Sequence, residues 1–372
     1  MAKWKILHVL GGEGSVWRTG QLAAQFRLLP EELFDQTIAA GEERVARTIE
    51  HQALQKVARL NRRLRIELTA ARNLRALLRT LNPDLAVCWD IQATEQLKLV
   101  LLGSRRKIAA CAMLFYPQVN RELLFKLKSN YHHLGLHLVC GSDRLAEWTK
   151  SELSARNRVH RVYPVFERTA QGVDKTALRR QMGLDPDTVP IFVPTEGVME
   201  DVHQAFLGCG IVERVNSKIR IVIADGDEER QNRCRRFAER VIVPRILRVV
   251  RDWAPRLVLA ACDAVIQPLG HWTETLPLLE GFGRSVPVIS SGFAEPGDLF
   301  VSNETYWDIG KPSGRAVATG LYKLLNEPEL QNKLTASARE RVQEKCSEGD
   351  YRAGIVKLYQ QILSPRKEAN ES

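Results

Sequence analysis

Two segments of this 372-residue chain combine residue types that suit an anionic ligand, and the first of them is rich in glycine. Gly11-Gly12-Glu13-Gly14 follows the apolar run Ile6–Leu10 and precedes a helical pattern. Glycines let a backbone approach a phosphate or a sugar closely, and the start of a helix favours anions. A tight turn without a ligand explains these glycines equally well, because the full Gly-x-Gly-x-x-Gly spacing is absent.

The second segment is a polar turn that starts at Trp272 and leads from the apolar run Ala264–Gln267 into a helical pattern. The first amide groups of a helix have no partners within it, so this helix start can bind a diphosphate. Glu280, near the second turn, can accept hydrogen bonds from ribose hydroxyl groups. The alternative is that Thr273 or Thr275 only caps the helix and that Glu280 is solvated.

The elements that would position these segments alternate between short apolar runs and longer helical patterns. The apolar runs include Leu85–Cys88 and Ile108–Leu114 in the first half, and strands are predicted at Ile219–Ile223 and Val286–Ile289 in the second. The Arg-rich pattern from about Val45 to Leu81 predicts one long helix. Strands that alternate with helices predict parallel sheets, and the chain length fits two domains. The sequence therefore predicts an α/β fold with two doubly wound domains.

The composition is that of a globular protein with anionic partners, since 44% of the residues are hydrophobic and the net charge is +10. No recognition motif supports nucleic acid as that partner. No apolar stretch reaches the roughly 18 residues that a membrane span needs, and the N-terminus lacks a signal-peptide pattern, so a cytoplasmic protein is expected. The seven scattered cysteines are expected to be reduced and structural.

Two stretches of sequence on either side of the polar turn show an order of strand, helix and strand that is known from other proteins. Ala261–Pro268 is an alanine-aspartate strand that ends in proline, and Leu276–Ser290 is a leucine-leucine-glutamate helix before a Pro-Val strand that closes on serine. Together they resemble the C-terminal signature of the retaining family-4 glycosyltransferases. Further short pieces resemble that family in the same order along nearly the whole chain: Ile6–Gly12, Leu81–Leu85, Ala177–Leu184, Ile221–Gly226, Glu327–Leu330 and Ala338–Val342.

The resemblance implies a GT-B architecture, in which two Rossmann-like doubly wound parallel-sheet domains face each other across a cleft. The expected domains are residues 1–168 on the acceptor side and residues 169–350 for nucleotide-sugar binding. Residues 351–372 are expected to form a C-terminal helix, which can cross back to the N-terminal domain, and a tail. The implied activity moves a sugar from a nucleotide-sugar donor to a glycan, a lipid-linked acceptor or a small molecule, with retention and without a metal or another cofactor.

The resemblance also assigns the donor contacts. Glu280 would hold the ribose, and the amides around Thr275 and Leu276 would hold the diphosphate. Gly11 and Gly12 would lie close to the donor phosphate and sugar.

The chain departs from the family pattern at three places. Trp272 stands where a second glutamate is expected, so Glu274, the nearest acid, is the candidate catalytic carboxylate. The segment Val193–Asp201 carries acids but no base, although a cation is expected there to neutralise the diphosphate. Met113 stands in place of a histidine. Other bases could supply the phosphate charge, namely Arg245, Arg248 and Arg251, unless they only form a solvated helix face.

Two alternatives to a transferase therefore remain. One is a noncatalytic protein with a GT-B fold that binds a nucleotide sugar or a glycan. The other is a sugar-nucleotide epimerase, which shares that fold.

Two further patterns concern partners other than the donor. Basic residues lie beside apolar ones in Arg59–Arg79 and Arg121–Lys128, which suits peripheral contact with anionic lipid at the inner face of a membrane. A solvated helix face is an equal alternative. His133 and His137 are four residues apart, but the glycine between them argues against one helix that carries both, so no metal site is expected.

Overall fold

The computed structural model describes residues 3–11, 16–41, 57–59, 68–102, 108–115, 121–153, 156–166, 174–225, 228–251, 253–268, 275–291 and 299–370. The chain forms two compact units. The first contains Met1–Phe115, Val119–Val165 and Glu348–Ser372, and the second contains Tyr116–Gln118 and Phe166–Ser347.

The first unit is built on one sheet of seven strands, which are β1 (Trp4–Leu10), β2 (Phe34–Ala40), β3 (Val57–Arg59), β4 (Leu85–Cys88), β5 (Ala109–Leu114), β6 (His137–Cys140) and β7 (Val159–Arg161). Their spatial order is β3-β2-β1-β4-β5-β6-β7, and every neighbouring pair is parallel. Every residue of β4 and β5 is buried, as expected for strands that helices cover on both faces.

Among the described residues, five helices connect these strands: α1 (Val16–Leu28), α2 (Leu68–Leu81), α3 (Ile91–Leu101), α4 (Arg121–Leu134) and α5 (Asp143–Leu153). The start of α3 is fixed by Asp90, whose side chain accepts a hydrogen bond from the Ala93 amide at the N-cap. This cap lies directly after β4, so it places the helix start at the carboxyl end of the sheet.

The second unit repeats the design with six strands and seven helices among the described residues. The strands are β8 (Val189–Phe192), β9 (Ile219–Ile223), β10 (Leu247–Val249), β11 (Ala264–Pro268), β12 (Val288–Ser291) and β13 (Trp307–Asp308). The helices are α6 (Lys175–Gln181), α7 (Met199–Glu213), α8 (Glu228–Val241), α9 (Pro255–Ala260), α10 (Leu276–Gly283), α11 (Gly314–Asn326) and α12 (Pro328–Lys345). The strand order is β10-β9-β8-β11-β12-β13, again parallel throughout. The predicted α/β fold with two doubly wound parallel sheets is confirmed.

The last helix, α13 (Glu348–Asn370), belongs to the first unit. Two of its tyrosines bond the same buried side chain of α1: Gln25 donates to the Tyr359 hydroxyl at 2.7 Å, and the Tyr351 hydroxyl donates to Gln25 Oε1 at 2.7 Å. A buried amide whose donor and acceptor are both used fixes the position of the helix against α1.

The strand order of each sheet reverses at one strand, β1 in the first sheet and β8 in the second. In open α/β sheets, ligands bind outside the carboxyl ends of the strands at such switch points. Gly11 directly follows β1, and Thr275 immediately precedes α10, the helix that follows β11, a neighbour of β8. Both candidate segments therefore lie at the end of a sheet where this fold presents ligands.

The prediction of one long Arg-rich helix from Val45 to Leu81 is wrong. Val57–Arg59 forms β3, and a helix is described only from Leu68. The backbone of β3 pairs with Ile38–Ala40 of β2, and these ladder hydrogen bonds outweigh the helical pattern of the surrounding sequence. Residues 42–56 and 60–67 of that stretch lie outside the described residues.

The segment that holds Arg245, Arg248 and Arg251 is not helical as a whole. Pro244–Ile246 forms a single 3₁₀ turn, and Leu247–Val249 is the edge strand β10. Arg245 pairs with Glu213 at 3.0 Å. All three arginines are exposed, as a solvated face implies, but they lie in a 3₁₀ turn, in an edge strand and just beyond that strand, and not on a helix.

Among the described residues, no helix combines the length and the apolar character needed to cross a membrane. All seven cysteines are buried, and none of them is in a disulfide bond. Burial raises the pKa of the Cys140 and Cys234 thiols to about 12, which keeps them protonated at neutral pH.

Candidate functional site

Gly11 is held by the start of α3. Its amide donates to Asp90 Oδ2 at 2.9 Å, and its carbonyl accepts from Gln96 Nε2 at 3.1 Å. Asp90 Oδ1 simultaneously accepts from the Ala93 amide at 2.6 Å, so one carboxylate ties the end of β1 to the first turn of the helix. The backbone of Gly11 is therefore fixed at the end of β1.

The close approach to α3 also explains why a glycine stands at this position. A Cβ atom on Gly11 would lie 2.4 Å from the amide nitrogen of Ala93 and 2.8 Å from its Cα. A Cβ atom on Gly41, after β2, would lie 2.4 Å from the Gly11 carbonyl oxygen. Backbone packing therefore requires Gly11 whether or not a donor binds beside it.

Behind Gly11, a buried histidine joins β1 to β2 and β4. The Trp89 indole donates to His8 Nδ1 at 3.2 Å, so the ring proton lies on Nε2, which donates to Gln36 Oε1 at 3.1 Å. Burial lowers the pKa of His8 to about 3, so the ring is neutral at physiological pH. The main chain of Trp89 is in turn bonded by Arg18 of α1 at 2.9 Å.

In the second unit, α10 begins at Leu276. Thr275 occupies the N-cap position, but its side chain accepts no capping hydrogen bond, which counts against the view that it serves only as a cap. Pro277 has no N–H, and the Leu278 amide donates to the Thr275 carbonyl at 3.1 Å. Within the helix, the amide of Leu276 is thus the first-turn donor that remains for a ligand.

Glu280 lies on the second turn of α10 and is partly buried. Its Oε2 accepts from Arg284 Nε at 3.0 Å, and the two side chains are 16% and 5% exposed respectively. Arg284 also lies over the ring of Phe166, with 5.8 Å between the guanidinium carbon and the ring centre. Glu280 is therefore a fixed carboxylate with an ion-pair partner and not a solvated side chain.

The segment after β8, where the sequence offers acids and no base, is locked by a second carboxylate. Buried Asp225, after β9, accepts from the Thr195 amide at 2.9 Å and from the Thr195 hydroxyl at 3.0 Å. The Asp225 carbonyl accepts from the same hydroxyl at 3.0 Å. Two adjacent strands are thus joined just beyond their carboxyl ends.

A cation reaches this segment from α8. Arg230 Nη1 donates to the Thr195 carbonyl at 3.0 Å and to the Gly197 carbonyl at 2.9 Å. The positive charge that is missing from the local sequence therefore comes from a helix that is distant in sequence. No spacing of residues in the sequence indicated that Arg230 would contact this segment.

The structure places three of the six predicted donor and catalytic residues together, since Thr275 is the N-cap of α10 and Leu276 and Glu280 lie on that helix. Gly11 lies in the first unit. Gly12 and Glu274 lie outside the described residues. Sequence reasoning missed Arg284, although a Glu at position i and an Arg at i+4 on a helix is a recognisable signal.

The histidine pair considered for a metal is separated by the end of α4. His133 Nδ1 bonds the Ser129 carbonyl at 2.7 Å, whereas His137, on β6, bonds His160 on β7 at 3.0 Å. Among the described residues, no group of three His, Cys, Asp or Glu side chains could hold a metal ion.

No family model matches the chain, and no curated protein matches it significantly in sequence. Solved structures do match. A glycosyltransferase from Rickettsia africae has a TM-score of 0.68 and 12% identity, covering 98% of this chain and 99% of that one. HepE from Anabaena in complex with UDP-glucose has a TM-score of 0.70 and 12% identity, covering 98% and 99%. UDP-GlcNAc 2-epimerase from Neisseria meningitidis bound to UDP-GlcNAc has a TM-score of 0.68 and 12% identity, covering 96% and 100%. These similarities show that the chain has a GT-B glycosyltransferase-like fold.

Proposed function

We propose that this GT-B protein is a glycosyltransferase that moves a sugar from a nucleotide-sugar donor to a glycan, lipid-linked or small-molecule acceptor. One observation carries the proposal: at the end of the sheet next to the β8 switch point, α10 presents the Leu276 amide at its start and Glu280 on its next turn. An amide at a helix start suits a phosphate, and a carboxylate one turn later suits ribose hydroxyls.

A positive charge beside the segment that follows β8 supports a diphosphate at this place. β8 and β11 are adjacent, and the segment after β8 is contacted by the guanidinium of Arg230. Together with the positive end of α10, this cation offsets the acids of Val193–Asp201. We propose that it contributes to the stabilisation of the departing phosphate in place of a base within that segment.

The proposed reaction retains the anomeric configuration and needs no metal. The acceptor hydroxyl oxygen forms a bond to the anomeric carbon on the face from which the donor phosphate leaves. The bond between that carbon and the phosphate oxygen breaks, and its electron pair stays on the nucleoside diphosphate. The acceptor proton passes to the departing phosphate. Glu274 is the proposed sugar-facing carboxylate, and Gly11 and Gly12 are proposed to lie beside the donor.

Two other functions have an observation in their favour. Trp272 and the segment Val193–Asp201 depart from the family pattern, which favours a noncatalytic protein that binds a nucleotide sugar or a glycan. Similarity to the fold of an epimerase favours isomerisation of the sugar. The products of the reaction distinguish the three functions. Slow hydrolysis of the donor supports the transferase, and binding without turnover supports the noncatalytic protein. Release of free nucleotide together with an isomerised sugar supports the epimerase.

Thermal unfolding against UDP-, GDP-, ADP- and dTDP-sugars tests the proposed donor site. A ligand at a hundred times its Kd adds about 2.7 kcal/mol to the stability of the folded state. For domains of this size, that raises Tm by about 5–10 °C. We expect such a shift with one nucleotide, and we expect Glu280→Ala to abolish most of it.

Glu229 provides the matched control for that experiment. It is also a glutamate with an arginine four residues later, since it pairs with Arg233 at 2.7 Å on the exposed face of α8. Glu229→Ala should keep the full shift. If no donor shifts the Tm of the wild-type protein, or if both variants behave alike, the site on α10 is not the donor site.

We also propose that the first unit contacts an anionic lipid surface. On α4, Phe125 is 74% exposed and is followed by Lys126 and Lys128. Apolar insertion beside basic residues is typical of peripheral membrane binding, with about 1 kcal/mol from each basic residue near the surface.

Vesicle sedimentation tests this contact. Vesicles that contain phosphatidylglycerol should bind the protein, whereas phosphatidylcholine alone should not, and Phe125→Asp should remove most of the binding. Tyr322→Asp is the control, because Tyr322 is 54% exposed but lies in the second unit. Equal binding of both variants would mean that α4 is only a solvated helix.

A further inference from the structure

We infer that Arg284 is a positioning residue for Glu280, which it holds in the orientation that receives the ribose. This inference rests on the proposed function, because it concerns the same carboxylate. Arg284 was not among the residues predicted from the sequence, and the geometry around it carries the argument.

Arg284 contacts Glu280 through both its backbone and its side chain. The Arg284 amide donates to the Glu280 carbonyl at 3.1 Å as the helix ends, and Nε donates to Oε2 at 3.0 Å. A glutamate on an exposed helix turn can adopt many rotamers, and a bond from a fixed donor restricts it to one. The orientation of the Glu280 carboxylate is therefore set by Arg284.

Arg284 can fix its partner because it is itself fixed. Its side chain is 5% exposed and lies against the ring of Phe166. The same ring fills the space beside Gly283, where a Cβ atom would lie 2.3 Å from ring carbons. Phe166 is anchored in turn, since its amide donates to the Cys346 carbonyl at 3.0 Å. The guanidinium is thus packed against a ring that cannot easily move away.

The ion pair is compatible with ribose binding. An ionised carboxylate has two oxygens and about four acceptor sites, so the bond from Nε does not by itself saturate it. Glu280 is 16% exposed, so a ligand can still reach it. If the ion pair served only to stabilise the helix, Glu280 would not need to remain accessible to a ligand.

The test compares ribonucleotides with their 2′-deoxy forms, because discrimination between them reports contact with the ribose. Calorimetry on the full-length protein would measure the Kd of UDP, ADP and GDP, each against its 2′-deoxy counterpart. We expect the wild-type protein to bind one ribonucleotide at least about tenfold more tightly than the deoxy form, as a lost bond to a charged group implies. Glu280→Gln and Arg284→Met should each bring that ratio close to one.

Three further variants sharpen the result. Arg284→Lys keeps a cation without the planar fork, so it should restore part of the discrimination. The double variant Glu280→Gln, Arg284→Met should lose no more than Glu280→Gln alone, because the two residues act on one contact. Arg233→Met removes the exposed pair with the same order and spacing on α8, and it should leave the ratio unchanged.

The outcomes separate this inference from the function on which it rests. If Arg284→Met weakens both nucleotide forms equally and keeps the ratio, the pair is only structural and the inference fails, whereas the donor site stands. If Arg284→Met does not fold, the result for Arg284→Lys tests the inference instead. A wild-type ratio between the Kd values of the deoxy form and the ribonucleotide in that variant would contradict a positioning role for the planar guanidinium group. If no ribonucleotide binds the wild-type protein, or if it binds without discrimination, the proposed role of Glu280 fails first.

Discussion

Gly11→Ala is expected to destabilise the first unit by about 3 kcal/mol, at the upper end of the usual cost of overpacking. The new Cβ atom would lie 2.4 Å from a backbone nitrogen of α3, and backbone atoms cannot rotate away as the end of a side chain can. Relief requires either β1 or the start of α3 to move, which would strain the bonds from Asp90 and Gln96 to Gly11.

Urea unfolding would measure this effect, and Gly20→Ala is the matched control. Gly20 lies inside α1, and a Cβ atom there would meet nothing within 4 Å. The same substitution should therefore stabilise the protein by about 0.5–1 kcal/mol, because alanine is the better helix former. The two substitutions are therefore expected to change the free energy of unfolding in opposite directions. If Gly11→Ala were neutral, the close packing of β1 against α3 would be incorrect.

The second large effect is a loss of stability in acid that depends on His8. The pKa of this buried ring is lowered to about 3, whereas an unfolded histidine has a pKa near 6.5. Between these values the unfolded chain binds a proton that the folded chain does not bind. Stability therefore rises with pH in this window and falls as the pH drops from about 6.5 towards 3, with a slope of about 1.4 kcal/mol per pH unit from this group.

Urea unfolding between pH 6.5 and 4.5 would measure the slope. His8→Gln cannot titrate but can still accept from Trp89 and donate to Gln36, so its slope should be smaller by about one proton. Other histidines whose pKa is lowered by burial, such as His137, contribute to both slopes and cancel in the comparison. A slope for His8→Gln equal to that of the wild-type protein would mean that the ring is protonated in the folded state.

Local pattern was enough to predict much of the fold. Leu85–Cys88 is continuously apolar, and Ile219–Ile223 is apolar except for Arg220, because parallel strands are covered on both faces; both strands were predicted with the bounds observed. Failures occurred where pairing with a distant strand decided the outcome. Val57–Arg59 lies within a helical pattern but completes the edge of the first sheet.

The features of the candidate site also divide into those that local sequence predicts and those that depend on distant residues. The position of Glu280 on a helix after β11 follows from the order of elements and from family resemblance, both of which are written along the chain. The contact of Arg230 with the segment after β8 spans more than thirty residues, and no local spacing predicts it. Arg284 lies between these cases, since its distance from Glu280 is local but its burial against Phe166 is not.

The sequence by itself determined most of the elements, their α/β alternation and the helix that starts after Thr275 and carries Leu276 and Glu280, because hydrophobic period and helix signals act over a few residues. Only the tertiary structure decided that Gly11 is required by backbone contact with α3, that His8 is neutral and that Glu280 is held by a buried arginine. Burial and close approach depend on atoms that the fold brings together from distant parts of the chain. Desolvation, steric exclusion and ion pairing therefore become defined only once the chain has folded.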